Sequence, residues 1–98
     1  MTRIAVAVLP LEAARRGIPL GWTIGGEPQP GCCVLEVLRL GEDGVPQDVF
    51  AGPPEAADRH LLRLDRPGRY AWRVLTLSPA ARRHAVGPWR RIVIEAPP

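Results

Sequence analysis

The chain has no lysine and no asparagine, a single serine, and no apolar run long enough to span a membrane. Each shortage removes a class of chemistry. Without Lys, and with no helical pattern after it, Gly25-Gly26 cannot be a P-loop. The lone Ser78 precedes Pro79, and no G-x-S-x-G elbow surrounds it, which excludes a serine hydrolase of that kind. The two histidines stand apart, His60 in an expected strand and His84 in an expected loop, with no spacing for paired metal ligands. Asp43, Asp48, Asp58 and Asp65 fall at separate turns or strand ends, where Asp is a turn former. No catalytic group, cofactor or metal is therefore expected, and the chain is not read as an enzyme.

All thirteen basic residues are Arg, which a GC-rich coding bias accounts for. The formal net charge is +3, and ten acidic residues are interspersed. Basic residues do not interleave with aromatics, so nucleic-acid binding is not indicated. Only two cysteines occur, and they are neighbours, Cys32 and Cys33. Adjacent Cα atoms lie about 3.8 Å apart, below the roughly 4.4 Å lower limit usual for a disulfide. No intrachain bond is expected; they read as two small strand hydrophobes with free thiols, which fits a reducing compartment. The segment Met1–Pro10 has one Arg and a short apolar run, and Glu12–Arg16 follows it. That is not a signal peptide, so synthesis in the cytoplasm without export is expected.

Ninety-eight residues suit one domain, spanning 1–98, and 46% hydrophobic content is ordinary for a globular chain. Twelve Pro and ten Gly lie between apolar runs, as turn punctuation does. Seven strands are expected: Arg3–Leu9, Ile18–Ile24, Cys32–Leu40, Gln47–Ala51, Asp58–Leu64, Arg69–Leu77 and Trp89–Glu95. Pro19 is tolerable near a strand start. One short helix, Leu11–Arg16, is expected between the first two strands; it is at most about a turn and a half. Short strands at this spacing point to an antiparallel sandwich or barrel.

The richest stretch is Leu64–Trp89. Leu64-Asp65-Arg66-Pro67-Gly68-Arg69-Tyr70, then Tyr70-Ala71-Trp72-Arg73-Val74, then Gly87-Pro88-Trp89, together with Leu20-Gly21-Trp22-Thr23, resemble the segments of a fibronectin type III domain. The resemblance runs from Ile4 to Ile94. It implies an all-β, seven-stranded antiparallel immunoglobulin-like sandwich. It implies that Tyr70 is a tyrosine corner, its hydroxyl bonding back to the preceding loop, and that Trp22 fills the core. In that family the third, sixth and seventh strands share a sheet. Here Cys33, Leu35 and Val37 stand where the third strand usually carries aromatics. No catalytic residue carries over, because the family is a scaffold for binding and spacing.

Glu36 should face water, which turns Cys33, Leu35 and Val37 inward and Cys32, Val34, Leu38 and Leu40 outward. Tyr70, Trp72, Val74 and Thr76 then face the core, and Ala71, Arg73, Leu75 and Leu77 face out. Ile92 and Ile94 point in; Arg91 and Val93 point out. The outer face would hold Val34, Leu38, Leu75, Leu77 and Val93 around Glu36, Arg73 and Arg91. A solvated sheet face is normally polar, so an apolar face with Arg in it reads as a contact surface. The loop Ser78–Gly87, with Arg82, Arg83 and His84, is a second candidate surface, able to bind carboxylates, phosphates or an acidic partner. It is expected to share one end of the domain with the loop 25–31.

The expected function is structural: a virion component of a phage or phage-like particle, in head decoration or tail, docking through the sheet face onto a lattice or a copy of itself. The motive is a domain type common on extracellular surfaces in a chain with no export signal. The alternative is an accessory binding or spacer module of a larger secreted polysaccharide-active enzyme. All three Trp are assigned to the core or its rim, which counts against direct sugar binding. The expected partner is a protein or a second copy, with no membrane.

Overall fold

The computed structural model describes residues 6–22, 32–56, 58–78 and 83–97. Strands dominate. They are β1 (Val6–Pro10), β2 (Ile18–Gly21), β3 (Cys33–Leu40), β4 (Pro46–Gly52), β5 (Arg59–Leu62), β6 (Gly68–Ser78), β7 (Arg83–Val86) and β8 (Arg90–Glu95), with one helix, α1 (Leu11–Arg16). A larger sheet has the order β1-β8-β6-β3-β4, with β7 also on β6; a second sheet pairs β2 with β5. No described helix is long and apolar enough to cross a membrane.

The helix has the limits expected of it. Pro10 precedes it in extended conformation, Leu11 and Ala14 are its buried face, and Arg16 pairs with Glu12 one turn back. It ends at Gly17, whose φ of 132° disfavours any side chain. A Cβ there would also meet the Leu61 side chain at 2.8 Å. The Leu64 amide donates to the Ala14 carbonyl at 3.0 Å, tying the helix to the segment after β5. Thus α1 carries the chain from the larger sheet to the smaller one.

Three expectations about the strands change. First, the larger sheet is mixed: β1 runs parallel to β8, Val6 opposite Arg91 and Pro10 opposite Glu95, while its other ladders are antiparallel. Alternation shows which way a strand faces, but not which edge it joins. Second, the last expected strand is β8, and a further strand, β7, precedes it. β7 pairs with Leu75–Ser78 of β6 and β8 with Gly68–Trp72, on the same side. Between them the Gly87 amide donates to the Val74 carbonyl at 2.9 Å, and a Cβ at Gly87 would sit 3.1 Å from that oxygen. Third, Arg83 and His84 belong to β7 and not to a loop, because β6 runs on to Ser78 and extends the hairpin. The expected first and second strands extend into 3–5 and 23–24, and the loop 25–31 follows; these lie outside the described residues.

The register places Cys33 opposite Thr76, Leu35 opposite Val74 and Val37 opposite Trp72. Of these, Cys33, Leu35, Val37, Trp72 and Val74 join Tyr70, Ile92 and Ile94 from the larger sheet, Ile18, Leu20 and Leu62 from the smaller, and Leu11 and Ala14 from the helix in one buried cluster; Thr76 is half-buried. Leu35 and Val37 are fully buried. Trp22 packs partly buried against the cluster, its ring centroid 6.2 Å from that of Trp72. Phe50 of the edge strand β4 reaches His60 of β5, ring centroids 5.1 Å apart. The Tyr70 hydroxyl donates to the Arg66 carbonyl at 2.7 Å, the back-bond expected of a tyrosine corner.

The cysteines overturn their expectation. Cys32 and Cys33 are disulfide-bonded, their Cα atoms 3.8 Å apart. The expectation rested on that separation, which lies below the usual lower limit of about 4.4 Å; a ring closed across a single peptide forms without widening it. β3 begins at Cys33, so Cys32 stands just outside the ladder, where strand alternation does not hold its side chain away from its neighbour's. Cys32 packs against the core beside Cys33 instead of pointing to the outer face.

Tyr70→Phe should lower stability by about 0.5–1.5 kcal/mol in urea unfolding; an unchanged midpoint would mean that the back-bond contributes nothing. Reduction should add two hydrogens to the intact mass and open both cysteines to alkylation. Alkylation before reduction would contradict the bonded pair.

Candidate contact face

The outer face follows from the ladders. Pairing partners that lie directly opposite share a face. Reading across β8, β6, β3 and β4, one row is Arg91, Ala71, Leu38, Asp48. The row on one side is Val93, Arg69, Leu40, Pro46, with Val8 of β1 beyond Val93. On the other side come Arg73, Glu36 and Ala51, then Val86, Leu75 and Val34. Glu36 alternates with the buried residues of β3, as expected.

At the centre, Arg73 Nε donates to Glu36 Oε2 at 2.7 Å. Both side chains are about three-quarters covered, with 28% and 27% exposure. The Arg73 guanidinium carbon also lies 4.2 Å from the centroid of the Trp89 ring. Arg73 therefore has its charge neutralised and one flat side covered by an aromatic ring. Around this pair Val34, Leu38, Leu75 and Val93 are half-buried, and Ala71 is buried beneath its neighbours. Val8 and Val86 at the margins are more than half exposed.

Of the expected contact residues, Val34, Leu38, Arg73, Leu75, Arg91 and Val93 are therefore brought together on one sheet face. Leu77 lies in β6 opposite His84, and Ser78 opposite Arg83, which continues the same hairpin. Arg82 lies outside the described residues.

Trp89 was missed. It is 38% exposed and stands over Arg73, on the outer face and not in the core. Counting back by twos from inward Ile92 would have turned Trp89 outward with Arg91. The same count turns Arg90 inward, and its guanidinium lies 5.4 Å from the centroid of the Trp72 ring. Val8 and Val86 were missed because each belongs to a strand whose partner or existence was not foreseen.

Three further sets of polar groups have structural roles. His60 Nδ1 accepts the Glu55 amide at 3.1 Å, which fixes the bend before β5. Arg15 pairs with Asp65 at 2.8 Å, bracing the helix on the far side. Asp43 accepts from the Val45 amide at 3.0 Å inside the β3–β4 turn. Among the described residues, no three His, Cys, Asp or Glu side chains gather as metal ligands. The chain matches no family model and no curated protein sequence.

A double-mutant cycle on Glu36→Ala and Arg73→Ala should give a coupling of about 0.5–1 kcal/mol. It should shrink in about 1 M salt, where screening acts within about 3 Å. Strictly additive single mutants would show the two side chains to be independent.

Proposed function

We propose that this chain is a fibronectin type III-like β-sandwich acting as a non-catalytic binding module, with the outer face of the larger sheet as its contact surface. The observation that carries the reading is that face: aliphatic residues from three strands around one neutralised ion pair, with Trp89 stacked at its side. A sheet face that meets only water has little reason to hold Leu38, Leu75, Val34 and Val93 together. Central aromatic and Arg side chains ringed by aliphatics are the usual make-up of a protein contact.

The sandwich reading is supported by β3, β6 and β8 sharing one sheet while β2 and β5 form another, with a single cluster fed by both. The back-bond of Tyr70 supports it too. The setting we favour is a virion, as a head-decoration or tail component. Disulfides persist on virion surfaces, which suits the bonded cysteine pair. An accessory module of a polysaccharide-active enzyme has one observation in its favour, the exposed Trp89 ring. Arg73 covers one side of that ring, and no second exposed aromatic among the described residues extends it into a platform. The protein-contact reading therefore stands first.

A photo-crosslinking residue in place of Leu38 or Leu75 should yield a covalent protein adduct in the cells or particles that carry the chain. The same residue at exposed Arg63, after β5, should yield none. Equal yields at all three positions, or none at any, would remove the contact-face assignment.

A further inference from the structure

We infer that the partner seated on this face is a second copy of the chain, related by a two-fold axis that runs between the two faces, parallel to the strands and over the β6–β3 seam. The inference rests on the contact-face reading above. A two-fold interface must be complementary to itself: what one copy presents on one side of the axis must suit what it presents on the other.

This face meets that condition row by row. Arg91 lies one strand outside β6, and Asp48 lies one strand outside β3, in the same row. They are equally far from the seam and opposite in charge. Rotation about the seam places Arg91 of each copy over Asp48 of the other, with Ala71 over Leu38 between them. In the next row Arg73 falls over Glu36 of the other copy. The two internal ion pairs then stack head to tail as four alternating charges. On one side, Leu75 meets Val34; on the other, Arg69 meets Leu40 and Val93 meets Pro46. No row brings like charges together.

The other in-plane choice, an axis lying along the Arg91–Asp48 row, would set Arg91 on Arg91 and Asp48 on Asp48. Like-charge contacts cost several kcal/mol each, so the charge pattern disfavours that axis, whereas the strand-parallel axis pairs every charge on the row with its opposite. Aligned sheets cross at about 30°. About 7 Å from the axis, one and a half strand spacings, that angle displaces a residue by about 4 Å, within the reach of an Arg side chain. Five strands span only about 20 Å, a footprint at the small end of specific interfaces. The dimer should therefore form in a concentration-dependent way.

Sedimentation equilibrium over a dilution series tests this. The wild-type chain should approach twice its 10.7 kDa mass. Arg91→Asp alone sets Asp over Asp48, and Asp48→Arg alone sets Arg over Arg91. Each should raise the dissociation constant by about tenfold or more. An equimolar mixture of the two single variants should dimerise again, because every cross-axis pair is then opposite in charge. The double variant should dimerise for the same reason. Both positions are exposed, and unchanged melting temperatures would show that the variants are folded. A wild type that is monomeric throughout, single variants that dimerise as well as wild type, or a mixture that stays monomeric would each overturn the inference. If the wild type is monomeric while a crosslinker at Leu38 or Leu75 captures a different protein, the second copy is wrong and the contact face stands. If the wild type is monomeric and no adduct forms, both fall.

Discussion

The register between β3 and β6 is the constraint on which everything else depends. Eight consecutive pairs, from Cys33 opposite Thr76 to Leu40 opposite Arg69, lock two central strands together. Because side chains alternate, that single alignment decides the role of both strands at once. It commits Leu35, Val37, Trp72 and Val74 to the core and Val34, Glu36, Arg73 and Leu75 to the face. A slip of one residue would bury the Glu36–Arg73 pair and expose Trp72. The hydrophobic term opposes such a slip: an apolar side chain moved out of a core costs roughly 1.5–3 kcal/mol, and several would move together. β8 takes its alternation from β6, and β1 takes its own from β8.

The core and the face therefore specify each other. Residues that resemble the scaffold family, Tyr70 and Trp72, lie on the inward side and leave little freedom for function. The proposed contact surface is their complement. The complement is organised: a neutralised pair lies at its middle, apolar groups lie around it, and two exposed opposite charges, Arg91 and Asp48, stand at equal distances on either side. That Arg73 is shared between Glu36 and Trp89 matters here, since a fixed guanidinium loses less freedom on docking than a mobile one.

Much of this was legible in the residues. The alternation of Cys33–Leu40, Arg69–Thr76 and Arg91–Ile94 is strong enough to orient each strand alone, and Leu11–Arg16 is a helix with the foreseen limits. What was not legible depends on partners. No pattern within 6–10 says that β1 will lie parallel to β8, since alternation is the same for either edge. Arg82-Arg83-His84 reads as loop because it is polar, yet Arg83–Val86 needs only backbone pairing with β6 to be a strand. Trp89 was drawn toward the core by its size, although its parity with Arg91 pointed outward. The cysteine bond forms at the Cα separation, 3.8 Å, that reads as too short for one, because the limit of about 4.4 Å describes bonds between separate segments and not a ring closed across one peptide.

The parallel pairing of β1 with β8 joins two segments at opposite ends of the described chain. Val6 meets Arg91, so β1 has no partner until β8 has been made. During synthesis the helix, the β3–β4 hairpin and the two inner strands can collect first, but β1 must wait. Contacts this distant in sequence are slow to form, typically on the millisecond to second scale for such topologies. The exposed apolar edge awaiting its partner is then a hazard for mispairing with another nascent chain. The edge that closes the larger sheet is thus also the last step of its assembly, and the one most open to error.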